Sequence, residues 1–252
     1  MSTTTHADSP PRRSALERQT AMRLAATEYQ RFGELLQSLT AVHWSTPTGC
    51  VPWDVRAMAT HLLGMAEMAA SIREQSRQVK AATRHGGVFI DALTSLQVEE
   101  HQHLRPDEIV RAYLKVGPKA ARGRRRTPGF IRRRSMPQPQ LVGDHEERWT
   151  IGYLVDVILT RDPWMHRIDI ALATGAPNVL TAEHDGVIVD DLVSEWAARH
   201  AQPYALRLTG PAGGFWTTGA GGPALELEVT EFCLMISGRV PAEGLLATEV
   251  PF

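Results

Sequence analysis

The chain has 252 residues, 43% hydrophobic and 22% charged, with a formal net charge of −1 at pH 7. That length suits one or two domains with a substantial core, and the balanced charge gives no sign of a nucleic-acid or membrane partner. Only two cysteines occur, Cys50 and Cys233, which excludes a disulfide framework or a four-cysteine zinc module and points to a reducing, cytoplasmic setting.

Residues 1–14 read as a disordered polar tail. Arg12-Arg13 mimics a twin-arginine signal, but Glu17 and Arg18 follow at once and no apolar segment of a signal peptide is present. From Ala15 to Leu39, Leu16, Leu24, Leu35, Leu36 and Leu39 predict an amphipathic helix, which WSTPTGCVPW then breaks. Asp54 is a good N-cap for a second helix running past Ile72, with Val55, Met58, Leu62, Met65, Ala69 and Ile72 inward and His61 at the edge of that stripe. RHGGVFIDAL reads as a loop into weakly patterned sequence. Pro106-Asp107 opens a third helix to about Lys115, with a resumption after Gly117-Pro118 left open, and the stretch GRRRTPGFIRRRSMPQPQ reads as an irregular basic connector.

A fourth helix is expected from about Glu147 to Thr174, stopped by Gly175 and kinked at Pro163. Together the four predict an antiparallel bundle over 15–178. From 179 to 252 a smaller α+β domain is expected. It holds one helix, Asp185 to His200, then strands in YALRLTG, GFWTTG and ALELEVTEFCLMISG.

The fourth helix carries the chemistry. At about 100° per residue, Ile151, Val155, Ile158, Asp162, His166, Asp169 and Ala173 fall on one stripe, and Asp and His are foreign to a core-facing surface. Four residues apart, Asp162 and His166 project from the same side. In a bundle, His61 on helix two faces them. Two His and a carboxylate form an open metal site of the kind used by catalytic zinc, or by non-haem iron. The plain alternative pairs Asp162 with Arg161 and leaves His166 a satisfied core histidine. Asp169, one turn beyond His166, is either a partner orienting a ligand or an ion-pair partner of Arg167 or Arg161. Trp53 and Trp164 are core residues or walls of a pocket. Cys50 reads as an inert thiol and Cys233 as strand packing. The cluster Arg122, Arg124, Arg125, Arg126, Arg132, Arg133 and Arg134 reads as a solvated connector; the competing reading is a salt-dependent nucleic-acid contact.

WSTPTGCVPWDVRAMATHLLG, RDPWMHRIDIALATG and the closing FCLMISGR resemble the mycothiol-dependent maleylpyruvate isomerase family, in order and over nearly the whole chain. The resemblance implies a DinB-like four-helix bundle followed by an α+β domain. It implies a divalent metal, zinc by preference, on His61, Asp162 and His166, and mycothiol as the thiol cofactor. The activity implied is an isomerase or thiol S-transferase acting on a small electrophile, with Arg239 reaching the active site to bind a carboxylate. The isomerase that names the family has Glu where this chain has Asp162. A non-catalytic metal- or ligand-binding protein of the same fold is the alternative.

Overall fold

The computed structural model describes residues 10–252, so the opening residues 1–9 of the expected tail lie outside the described residues. The described residues divide into two compact units that interleave in sequence: residues 17–138 with 150–178, and residues 10–16, 139–149 and 179–252. The first is the DinB-like helical bundle and the second the α+β unit. No helix among the described residues is long and apolar enough to cross a membrane.

In the helical unit, α1 (Arg18–Ser38), α2 (Val55–Ala70), α5 (Pro106–Arg126) and the paired segments α7 (Ile151–Tyr153) and α8 (Leu159–Thr174) form the bundle. A π-helical segment, Leu154–Ile158, joins α7 to α8. The caps follow the sequence. The Asp54 carboxylate accepts from Ala57 N at 2.8 Å, and Gly175 ends α8 in the left-handed conformation, φ 70°. The core joins Phe32, Leu35, Leu36, Met58, Leu62, Leu63, Ile109 and Tyr113, all buried.

Three expectations are corrected here. Helix two does not run past Ile72. The chain breaks at Ser71 (φ −145°, ψ 120°), whose hydroxyl accepts from Glu74 N to start α3 (Ile72–His85), and Ile72 is 83% exposed. The weakly patterned stretch is helical: α4 (Phe89–His101) packs with α3 against α2. The basic segment is ordered as well, because α5 continues to Arg126 and a short α6 (Gly129–Arg132) follows. Pro118 is tolerated because it and Leu114, whose carbonyl it leaves without a helical donor, are both exposed. Gly123 is no breaker either. A Cβ there would lie 2.1 Å from Ala69 O, so its lack of a side chain lets α5 lie close against α2.

Two of the clustered arginines are structural. Arg124, 2% exposed, donates to Val155 O (2.9 Å), Leu159 O (2.7 Å) and Thr160 Oγ1 (2.5 Å). Pro163 cannot donate to Leu159 O, and the Arg124 guanidinium does so instead. Arg132 forks onto the buried Asp156 carboxylate within the π segment. Arg122, Arg125, Arg126, Arg133 and Arg134 are exposed.

Arg12, inside the stretch read as tail, is tied into the α+β unit. Its N–H donates to Arg148 O at 2.8 Å and its guanidinium pairs with Glu147 at 3.1 Å. A hairpin of β1 (Gln140–Val142) and β2 (His145–Glu147) turns at Gly143, φ 59°. The helix α9 (Val187–His200) precedes a three-stranded sheet. Its centre is β3 (Tyr204–Thr209), antiparallel to β4 (Gly214–Thr218) and parallel to β5 (Ala224–Glu228). The last expected strand ends at Glu228, whose carboxylate caps α10 (Val229–Ile236) by accepting from Thr230 N at 2.5 Å and Glu231 N at 3.3 Å. Cys233 is therefore a buried helical residue rather than a strand residue.

Candidate metal centre

His61 comes from α2 and Asp162 and His166 from one turn of α8, and their donor atoms lie within 4.8 Å of one another. His61 Nε2 is 3.6 Å from Asp162 Oδ2, and His166 Nε2 is 3.3 Å from Asp162 Oδ1. The imidazoles stand edge to face, centroids 5.7 Å apart. A tetrahedral site with bonds of about 2.0–2.1 Å sets its donors about 3.3 Å apart, so this spacing suits a divalent ion. Two ring nitrogens and one carboxylate are also the donor chemistry of an open zinc site.

The site is recessed, with both histidines buried and the Asp162 side chain 17% exposed. Burial alone pushes the Asp162 carboxyl up, yet the flanking His61 and His166 outweigh it and hold the group well below the usual carboxylate range. Burial likewise disfavours the His166 imidazolium, and its hydrogen bonds to the accepting carboxylates of Asp162 and Asp169 overturn that, leaving its pKa raised. Trp53, in the loop before α2, closes one side: its ring centroid lies 5.0 Å from that of His61 and 6.0 Å from that of His166. Trp164 is fully buried.

The far ring nitrogens are anchored too. His166 Nδ1 is 3.0 Å from Asp169 Oδ2, so Asp169 orients the imidazole. His61 Nδ1 is 2.8 Å from Gln97 Oε1 on α4, and Gln97 Nε2 donates to Gln78 Oε1 on α3 at 2.8 Å. Gln78 and Gln97 are both fully buried. Sequence reasoning missed them, since a glutamine on a helix carries no mark of burial. One signal does exist, in HLLG. Gly64 follows His61 by three residues, on the same face. A Cβ on Gly64 would sit 2.6 Å from Gln97 Cγ. Gly64→Ala is expected to displace Gln97 from His61 and weaken zinc binding about 10-fold or more, measured by chelator competition; unchanged affinity would show that Gln97 need not approach so closely.

Behind the glutamines, His101 is bonded at both nitrogens to acceptors: Gln97 O at 2.8 Å from Nδ1 and Glu67 Oε2 at 3.1 Å from Nε2. Burial lowers its pKa, but the Glu67 bond and the Gln97 carbonyl outweigh burial, so the value is raised above 6.5. A raised histidine stabilises the fold fully below its unfolded pKa, and that contribution disappears as pH climbs through the folded value. Metal-free wild type is thus expected to exceed His101→Gln in urea-unfolding stability by more at about pH 5.5 than at about pH 9. A gap independent of pH sinks the assignment.

Arg239 belongs to the other unit. It is half-buried in the turn after α10, where its N–H donates to Leu234 O at 3.0 Å. Cys50 is half-buried and Cys233 buried, and neither forms a disulfide.

Residues 25–171 match the family model of the mycothiol maleylpyruvate isomerase N-terminal domain. Two solved structures share the fold. One is the mycothiol-dependent maleylpyruvate isomerase, 15% identical, with 89% of this chain aligned to 90% of that one and a TM-score of 0.56. The other is a histidine-to-alanine mutant of the mycothiol-dependent maleylpyruvate isomerase, also 15% identical over the same shares, with a TM-score of 0.55. No curated protein matches the chain.

Proposed function

This chain belongs to the mycothiol maleylpyruvate isomerase family, and we propose that it is a metal-dependent, mycothiol-using enzyme, an isomerase or thiol S-transferase acting on a small electrophile. The observation that carries this reading is the convergence of His61, Asp162 and His166 at the spacing of a divalent-ion site. Those three residues would hold the metal, zinc by donor chemistry. When bound, the metal supplies Lewis acidity that lets a thiol lose its proton near neutral pH.

The protein's own groups do the rest. Asp162 contributes the negative charge of the ligand set, and Asp169 fixes the His166 ring through Nδ1. Trp53 walls the two imidazoles and limits water beside them. Being one methylene shorter than Glu, Asp162 has the shorter reach from α8. The guanidinium of Arg239, at the family position implied by FCLMISGR, is assigned to a carboxylate of the substrate or thiol cofactor. Arg239→Ala is accordingly expected to raise KM about 10-fold or more while the bound metal stays at its wild-type level. A wild-type KM removes the assignment.

The decisive test is metal analysis combined with turnover of maleylpyruvate in the presence of mycothiol. About one metal per chain is expected, with activity lost on chelation and restored by zinc. An isomerase returns the thiol and delivers the trans isomer; a transferase consumes one thiol per substrate. Failure to bind metal defeats the proposal, and metal binding without turnover or thiol adducts across a panel of electrophiles would make the chain a binding protein.

A further inference from the structure

The two buried glutamines form a chain whose polarity can be read from its far end. Gln78 Nε2 lies 3.1 Å from Gly64 O and 3.0 Å from Glu74 Oε1. A backbone carbonyl and a carboxylate only accept, so the Gln78 amide must present its NH2 to them and its oxygen the other way. That oxygen meets Gln97 Nε2 at 2.8 Å, and the second Gln97 proton is directed at Met65 Sδ, 3.2 Å away. Gln97 is thereby oriented as well, with its oxygen 2.8 Å from His61 Nδ1. An oxygen facing that nitrogen requires the proton on Nδ1. The neutral His61 ring is then left with its lone pair on Nε2, the atom 3.6 Å from Asp162 Oδ2.

We propose that Gln97 and, at one remove, Gln78 are positioning residues that hold neutral His61 in the Nδ1–H tautomer, so that Nε2 faces Asp162 and His166 as an acceptor ready for a cation. Free neutral histidine prefers the opposite tautomer, with the proton on Nε2, which cannot ligate through that atom. Leaving this proton on Nε2 would set a donor where a ligand is needed. Gln78 makes no bond to His61, yet its amide decides which way Gln97 faces, and an inverted Gln97 would offer its NH2 to Nδ1 and favour the wrong form. The importance of this lock to catalysis rests on the metal-site reading above; the tautomer itself does not.

The experiment reads the tautomer directly. Long-range 1H–15N correlation of metal-free, 15N-labelled protein at about pH 9, where an ordinary imidazole is neutral, is expected to show His61 with a protonated Nδ1 and an unprotonated Nε2. Gln78→Leu is expected to shift His61 toward the Nε2–H form and lower zinc affinity about 10–100-fold in chelator competition. Gln97→Glu, which keeps an acceptor against Nδ1, is expected to preserve the Nδ1–H form. Observation of Nε2–H in the wild type overturns the proposal, and this needs no variant to fold. So does a folded Gln78→Leu protein, judged by circular dichroism, that keeps both the wild-type tautomer and zinc affinity. Protein showing Nδ1–H but binding no zinc would defeat the metal-site reading and leave the tautomer lock standing.

Discussion

Replacing His166 with Ala is expected to lower zinc affinity by at least about 100-fold, beyond the range usual for loss of an outer hydrogen-bonding partner, and to abolish turnover with it. The imidazole has two duties that this variant removes together. Its Nε2 faces Asp162 at 3.3 Å within the candidate donor set, and its Nδ1 is paired with the buried Asp169 at 3.0 Å. Loss of the ring leaves Asp169 without that partner and deprives Asp162 of a group that holds its carboxyl low. The metal-free variant should therefore also be less stable than the metal-free wild type. His166→Gln separates the effects, because an amide still donates to a neighbouring carboxylate but is a poor zinc ligand. The expected result is recovered thermal stability without recovered zinc affinity or activity. If His166→Ala binds zinc as wild type does by chelator competition, α8 does not supply the site.

The candidate site was legible because its residues violate the pattern around them. Asp162 and His166 sit on a stripe that Ile151, Val155 and Ile158 mark as apolar, and their i, i+4 spacing survives whatever happens upstream. The extended stripe does not. Projection at about 100° per residue assumes regular α-helix, whereas Leu154–Ile158 is π-helical and opens each turn by one residue. The segment that follows is buried on almost every side, from Leu159 through Ala171 with only Asp162 partly exposed, rather than along one face. Two of its polar pairings are plain: Asp169 holds His166, and Arg167 donates to Glu28 at 2.8 Å. The first is an i, i+3 contact along α8, but the second joins residues 139 apart in the chain, and nothing local records it. Gln78 and Gln97 escaped notice for the same reason.

The fold divides along similar lines. Asp54 and Gly175 announce helix ends through their own backbone chemistry and were readable. The end of the sheet was less so. ALELEV alternates as a strand, but Val229, Phe232, Cys233 and Ile236 are buried at i, i+3, i+4 and i+7, a helical period that starts where Glu228 caps it. The switch of period was present in the sequence, masked by a continuous run of apolar and β-branched residues. The basic segment is the opposite case. Gly, Pro and Arg argue locally for a loop, and tertiary contacts override them. Gly123 is the point of closest approach to α2, and Arg124 is drawn inward by carbonyls that another helix cannot satisfy.

That last dependence carries the largest stability effect. Arg124→Met is expected to destabilise the metal-free protein by about 3–5 kcal/mol, since Val155 O, Leu159 O and Thr160 Oγ1 lose a buried donor and each such loss costs about 1–3 kcal/mol before relaxation. Met retains most of the side-chain volume, so the loss is chiefly that of hydrogen bonds, together with the guanidinium lying 5.7 Å from the Tyr29 ring. Urea unfolding measures it. Pro163 supplies the sharper test, because its missing N–H is the reason Leu159 O needs an outside donor. In an Arg124→Met background, Pro163→Ala restores a main-chain donor to that carbonyl and is expected to recover about 1 kcal/mol. In the wild-type background the same change offers Leu159 O a second donor and should gain less. A double-mutant cycle with no coupling between the two positions would mean that Arg124 does not substitute for the bond Pro163 removes, and that the π segment before Asp162 is held open by something else.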